Sequence, residues 1–335
     1  MVDWRAVDQK VRFGIIGTGG FGRYHIGLMS NLSEVNVVAL CDPDPAQIEQ
    51  TRNAFPRFAT ASLFSSHEDL VSDPTVDAVL ISSPHAFHAR QVIDSFAAGK
   101  HVLVEKPLTN SVQDAREAIL ARDKSGKVGA ISYQRHGMGQ FQFLKETIES
   151  GRYGKVLSLN SHLTQQWLQF TKGTWRQNLE ISGGGQINDS GSHMIDILLW
   201  ATGLKAKKVS AMMDNRGSEV DIDSIVSIEF EGGAYGSLTI VGDACLWHER
   251  HHIWLERAAL VLTDDTLTII DDKGRHSVVS HWPQAVSPDA NLVDAILRGA
   301  EVLAPFECGL RTIELTEAAW KSAAQGGIPV EVASL

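Results

Sequence analysis

The chain reads as an α/β N-terminal Rossmann domain followed by an α+β domain with a large open, mostly antiparallel sheet. Three observations predict this. Short β-branched runs alternate with segments of helical period from Val11 to about Ile131, and a glycine-rich turn follows the first of those runs. After about Gly139 that alternation stops, and long strand-like segments joined by turns take over. At 335 residues the chain exceeds one ordinary core, and its 43% hydrophobic content is enough to fill two. The expected division is 1–132 for the nucleotide-binding domain and 133–335 for a substrate-binding and oligomerisation domain.

In the nucleotide-binding domain the expected strands are Val11–Ile16, Val35–Cys41, Ala78–Ile81, His101–Val104 and Val128–Ile131. The expected helices are Phe21–Ser30, Pro45–Ala54, Ala86–Ala98 and Val112–Lys124, with Gly99 and Ser125-Gly126 as stop signals. The substrate-binding domain opens with a helix that ends near Gly151. Strands are then expected over Lys155–Gln165, Lys207–Met213, Ser224–Phe230, Ala234–Val241, His251–Glu256 and Ala259–Leu262. Asp271-Asp272-Lys273-Gly274 reads as a hairpin turn. Helical patterns cover Ser192–Trp200, Asp289–Leu297 and Leu310–Ala323.

The sharpest local signal is the passage from the first strand through Gly17-Thr18-Gly19-Gly20-Phe21-Gly22 into a helix. Gly17 suits the tight turn, Gly19 and Gly20 let backbone approach a pyrophosphate, and Gly22 permits close helix–strand packing, with Phe21 opening the helix. Asp42 closes the next strand, twenty residues beyond Gly22, where a carboxylate accepts from the ribose hydroxyls and repels a 2′-phosphate. Pro43 and Asp44 follow it, with no adjacent Arg, so NAD is favoured over NADP.

Glu105-Lys106-Pro107 follows the His101–Val104 strand at the carboxyl edge, where doubly wound sheets bind ligands. Taken alone the pair could be a surface salt bridge. A second constellation, Gly183-Gly-Gly-Gln-Ile-Asn188-Asp189-Ser-Gly-Ser-His193-Met-Ile-Asp196, sets Asp189 four residues before His193, on one face if the helix begins early enough.

These three motifs, in this order and spacing, resemble those of the Gfo/Idh/MocA oxidoreductases, which include glucose-fructose oxidoreductase and inositol dehydrogenase. The resemblance extends over nearly the whole chain. It implies NAD as cofactor, a sugar, cyclitol or related polyol as substrate, and Lys106, Asp189 and His193 as catalytic residues; Asp196 falls on a further acidic position. Ser83, His88 and Glu105 join Lys106 on the cofactor side. The family more often has Asn where His85 stands, so contacts there can differ.

Elementary chemistry supports the transfer of roles. Oxidising an alcohol requires removal of its proton as hydride leaves carbon, and histidine has the natural pKa for that task. His193 is read as the base, Asp189 as holding its tautomer or relaying the proton, and Lys106 as stabilising the reacting oxygen; Lys106 and His193 can exchange roles. Arg135, His136, Gln165, Trp167, Trp175, Arg176 and Asn188 complete the expected pocket, since donors, acceptors and flat rings suit a polyhydroxylated ring. The two tryptophans and Arg176 could equally be structural.

His248-Glu249-Arg250-His251-His252 satisfies H-E-x-x-H, but Ile253-Trp254-Leu255-Glu256 continues in strand register. Residues four apart in a strand lie about 13 Å apart, too far to share an ion. No metal site is therefore expected. A net charge of −10 argues against nucleic acid and anionic lipid as partners. The first residues lack the apolar core of a secretory signal, no run approaches membrane-spanning length, and the three cysteines are scattered, so a cytoplasmic protein is expected. An open sheet needs covering, which predicts a homo-oligomer, a dimer or tetramer. Beside the dehydrogenase stand two other readings, a glycosidase that oxidises its substrate only transiently and a non-catalytic sugar- or NAD-sensing regulator.

Overall fold

The computed structural model describes residues 10–332, so the N-terminal stretch weighed above as a signal lies outside the described residues. The chain forms two compact units. The first takes residues up to Thr109, Gln113–Gln134 and Val286–Glu307; the second takes Asn110–Val112, Arg135–Ala285 and Cys308 onward.

The first unit begins β1 (Val11–Ile16), α1 (Gly20–Met29), β2 (Val35–Cys41), α2 (Pro45–Ala54), β3 (Ser62–Phe64) and α3 (His67–Ser72). It continues through β4 (Ala78–Ile81), α4 (His88–Ala97), β5 (His101–Val104), α5 (Val112–Ser125) and β6 (Gly129–Ile131). The strands pair in parallel in the order β3-β2-β1-β4-β5-β6. That is the doubly wound order whose switch point lies between β1 and β4. Every residue of β4 is buried, as parallel strands covered on both faces require. The expected helices start and stop within two residues of those observed. β3 and α3 escaped the sequence reading because three and six residues are too few to establish a period.

Because Val286–Glu307 belongs to the first unit, a single cut at 132/133 does not describe the chain. Helix α10 (Pro288–Arg298) lies against α1, β5 and β6, and its Leu292 and Val293 enter the core formed by Phe13, Ile15, Leu80 and Leu103.

The second unit contains α6 (Gly139–Glu149), β7 (Val156–Thr164), the one-turn helices α7 (Trp167–Phe170) and α8 (Leu179–Ser182), and α9 (Ser190–Thr202). Then come β8 (Ala206–Asp214), β9 (Asp223–Phe230), β10 (Tyr235–Val241), β11 (His248–Leu255), β12 (Ala258–Thr263), β13 (Thr266–Asp271) and β14 (His276–Val278). After α11 (Phe306–Ala324), β15 (Val330–Glu331) closes one edge. The nine strands run β14-β13-β12-β11-β7-β10-β9-β8-β15. Only the β7–β10 pair is parallel, so the sheet is mixed and mostly antiparallel.

Alternation decides which face is buried. In β9, Ser224, Val226 and Ile228 point inward while Ile225 and Ser227 do not. The inner face joins Leu144 of α6, Ile195 and Leu198 of α9 and Leu315 of α11 in one core. Leu157, Met212, Ile225, Tyr235 and Trp254 remain exposed. The H-E-x-x-H segment is strand β11, with Glu249 and His251 inward and Arg250 outward. No helix among the described residues is long and apolar enough to cross a membrane.

Candidate active site

The turn between β1 and α1 is tight where it must close and open where a ligand would lie. Gly17 adopts φ +87°, and a Cβ there would come within 2.6 Å of the Ser83 amide nitrogen; at Gly22 one would strike the Gly17 carbonyl oxygen at 2.2 Å. At Gly19 and Gly20 a Cβ would meet no described atom within 4 Å. Helix α1 starts from Gly19 with no side-chain cap, so its amide end is not closed off by its own sequence. Phe21 is 48% exposed in the first turn.

Asp42 stands beside that turn, half-buried. The Thr18 amide and hydroxyl donate to its Oδ2 at 2.8 and 3.2 Å, and the Asp44 amide donates to Oδ1 at 3.0 Å. Oδ1, with a single donor, keeps a lone pair for a further one. An open glycine turn with a fixed carboxylate next to it fits a dinucleotide whose ribose hydroxyls donate to Asp42.

At the end of β5, Glu105 and Lys106 are both buried. Glu105 Oε2 accepts the Lys106 amide at 3.1 Å, and Oε1 meets His25 Nε2 at 2.9 Å. Burial raises the Glu105 carboxyl, but the His25 bond and charge override it and hold it down at about 2. His88 differs from its expected place on the cofactor side. It is fully buried, and its ring nitrogens lie against the carbonyls of Pro107 at 2.8 Å and Ser83 at 2.9 Å, leaving none to meet a nucleotide. Glu105 likewise supports Lys106 from behind. Ser83 donates to Gln91 at 2.6 Å.

In the second unit, α9 begins at Ser190, earlier than the periodicity alone indicated, with Asp189 as its N-cap residue. Asp189 and His193 therefore span the first turn. Trp167 Nε1 donates to Asp189 Oδ2 at 2.8 Å and Arg176 Nε donates to the same oxygen at 3.1 Å. Arg176 lies over the Trp175 ring at 4.4 Å. Trp167 is 2% exposed, so it orients Asp189 from inside the core. Asn188 is buried and donates to Asn110 at 3.2 Å, while Gln165 sits where β7 ends, its amide donating to the Val241 carbonyl.

The glycine loop before Asp189 is held by Asp221, which the sequence reading missed. The Gly185 and Ile187 amides donate to its two carboxylate oxygens at 2.9 Å each, and Trp320 Nε1 donates at 3.0 Å. A Cβ at Gly185 would lie 1.8 Å from the Asp221 carbonyl oxygen, so only glycine fits. Burial pushes the Asp221 carboxyl up, against those three donors.

Arg135 and His136, expected to line the pocket, are each tied to a buried carboxylate. Arg135 makes a two-pronged pair with Glu249 at 2.5 and 2.6 Å, and that guanidinium holds the Glu249 carboxyl well below the usual carboxylate range despite its burial. His136 Nε2 meets Asp196 Oδ2 at 2.7 Å, with the ring tilted against Trp200. The two pairs tie the segment before α6 to the sheet and to α9. Asp196 and His136 also lie near Cys308, and the Arg311 guanidinium donates to the Cys308 sulfur at 3.1 Å and stands 3.8 Å from Asp196, so a cationic group already faces two of the three.

Known proteins share both halves. The GFO/IDH/MocA model of the oxidoreductase family with an NAD-binding Rossmann fold matches residues 11–133, and the model of the GFO/IDH/MocA C-terminal domain matches residues 141–261. An uncharacterised oxidoreductase of Rhizobium meliloti is 27% identical over 94% of this chain and 98% of its own length. D-glucoside 3-dehydrogenase of Escherichia coli is 27% identical over 85% of this chain and 80% of its own. A 1-carboxy-3-chloro-3,4-dihydroxycyclohexa-1,5-diene dehydrogenase of Comamonas testosteroni is 28% identical over 70% of this chain, a match spanning only 58% of the relative. Among solved structures, levoglucosan dehydrogenase in complex with NADH and levoglucosan superposes with a TM-score of 0.86 at 21% identity, covering 97% of this chain and all of that one. Its likeness is one of fold.

Proposed function

We propose that this chain, which belongs to the Gfo/Idh/MocA oxidoreductase family and carries its NAD-binding Rossmann domain, oxidises a hydroxyl-bearing carbon of a sugar, cyclitol or related polyol. The observation that carries the reading is the pinned Asp189 at the cap of α9, one turn before His193, in a chain that also sets Lys106 after the Rossmann strand β5. Bound NAD would supply the hydride acceptor. What this chain's own residues must supply is proton removal and oxygen stabilisation.

His193 takes the hydroxyl proton, and Asp189, fixed by Trp167 and Arg176, sets its tautomer and offsets the positive charge it gains. Lys106 donates to the reacting oxygen and stabilises alkoxide character there. The carbinol carbon loses hydride, its oxygen loses a proton to His193, and a carbonyl results. Trp175 and Arg176 offer a flat ring and a fork of donors to a polyol, with Gln165 and Asn188 nearby in sequence to the same loops. Gly17, Gly19, Gly20, Gly22 and Asp42 bind NAD in preference to NADP, and Phe21 and Ser83 flank that turn. Self-association through the exposed β-sheet face belongs to the same proposal.

The test is NADH absorbance with purified protein, NAD and a panel of cyclitols, aldoses, anhydrosugars and glycosides, beside a Lys106→Ala control. A substrate-dependent rise lost in the variant is the expected outcome. Aglycone release without that rise would replace the dehydrogenase by a glycosidase that takes hydride and returns it. Silence across the panel together with retained NAD binding would favour a sensing protein.

A further inference from the structure

Behind Lys106, buried groups form a continuous chain that runs through Glu105 of the same triplet. His25, on the inner side of α1, is 1% exposed and lies between two carboxylates: Nδ1 is 2.8 Å from Asp289 Oδ1 and Nε2 is 2.9 Å from Glu105 Oε1. A neutral imidazole has one N–H and one lone pair, so it can donate to only one of them. Two ionised carboxylates on the two nitrogens require both nitrogens to be protonated. Asp289 lies in the first turn of α10, and its Oδ1 is the atom facing the imidazole. The far oxygen of Glu105 accepts the Lys106 amide, and the Pro107 carbonyl that follows lies against His88.

We propose that His25 is a positioning residue: as an imidazolium tied to Asp289, it fixes Glu105 and thereby the backbone from which Lys106 reaches its target. Burial works against a charged His25, but the bonds from Asp289 and Glu105 outweigh it and raise its pKa to about 10. This arrangement makes α10 part of the catalytic support. The late segment Val286–Glu307 returns to the nucleotide-binding unit carrying the one carboxylate that completes the chain Asp289–His25–Glu105–Lys106. Ser132, 3.4 Å from His25 Nε2, is the neutral group beside the imidazole.

The inference rests on the catalytic role proposed for Lys106, so the test separates the two. Hydrogen–deuterium exchange is compared in the wild-type protein, His25→Gln and the nearly isosteric Asp289→Asn. The expected result is faster exchange confined to residues 104–108, with β1 and β4 unchanged. In parallel, both variants should lose at least tenfold in kcat while their NAD dissociation constants stay within about twofold, and neither should lose more when combined with Lys106→Ala. Unchanged exchange at Lys106, loosening spread across the whole sheet, or a kcat loss that persists undiminished in the Lys106→Ala background would each overturn the proposal. If the wild-type protein turns over none of the panel, the functional reading falls by itself, and the exchange pattern alone decides whether His25 holds Lys106.

Discussion

Asp42 and Lys106 follow two strands of one parallel sheet, β2 and β5, and each makes a prediction at the scale of a single side chain. Asp42→Asn keeps an acceptor for the Thr18 amide but removes the charge, so NAD affinity should fall about ten- to a hundredfold, the value of hydrogen bonds to an ionised group, while NADP is penalised less. Titrating quenching with both nucleotides checks this. Lys106→Ala should lower kcat by about 10²- to 10⁴-fold with NAD binding retained, because its contribution arises as charge develops on oxygen. His25 and Glu105 give a pH prediction. The folded pKa of His25, about 10, lies above its ordinary 6.5, so its contribution to stability is full below 6.5 and is lost as pH rises toward 10. That of Glu105 is depressed from 4.5 to about 2, so its contribution is full above 4.5 and is lost as pH falls toward 2. Urea midpoints should therefore form a plateau between pH 4.5 and 6.5 with a shoulder on each side, and His25→Gln should flatten the alkaline shoulder.

Among the elements, those that were legible in the sequence are the ones whose signals are local. β1, β2, β4 and β5 were bounded by their apolar runs alone, and the turn at Gly17 needed only its own glycines and the strand before it. The residues that brace the candidate site were not legible, because their partners are far away in the chain. Arg135 and His136 follow β6 closely, which suggested a pocket, yet their partners Glu249 and Asp196 lie 114 and 60 positions on. Asp221 carried no motif at all. A glycine triplet needs something to pack against, and an unassigned acid before a strand could have been weighed for that role, but nothing in the sequence singled it out. Its importance is open to measurement. Asp221→Asn places an amide NH₂ against a backbone N–H, so the loop 183–187 should lose about 1–3 kcal/mol of support, read as a lower denaturation midpoint together with reduced turnover. The H-E-x-x-H pattern illustrates the opposite case, in which period decided correctly: alternation put Glu249 and His251 inward, where they pair with Arg135 and Ser161.

For the whole molecule, the open face of the nine-stranded sheet is the feature that most needs a partner. Leu157, Met212, Ile225, Tyr235 and Trp254, each 46–64% exposed, come from five strands of that sheet, and an apolar face of that kind is uncommon on a monomer. Tyr235→Lys with Trp254→Lys should convert an oligomer to a smaller species in light scattering coupled to gel filtration, leaving the Rossmann unit folded. The two-domain division was legible as a change of rhythm. The return of α10 to the first unit was not, because a helix signals its own apolar stripe and not the sheet on which it packs. The central claim, hydride removal from a carbinol carbon, is tested most directly by isotope. A substrate from the panel carrying deuterium at the oxidised carbon is incubated with the protein and NAD, and the cofactor is analysed by mass spectrometry. The account predicts reduced cofactor one deuterium heavier, formed in step with a carbonyl product; deuterium found back in a hydrolysed sugar, or no reduced cofactor in spite of product, would contradict it.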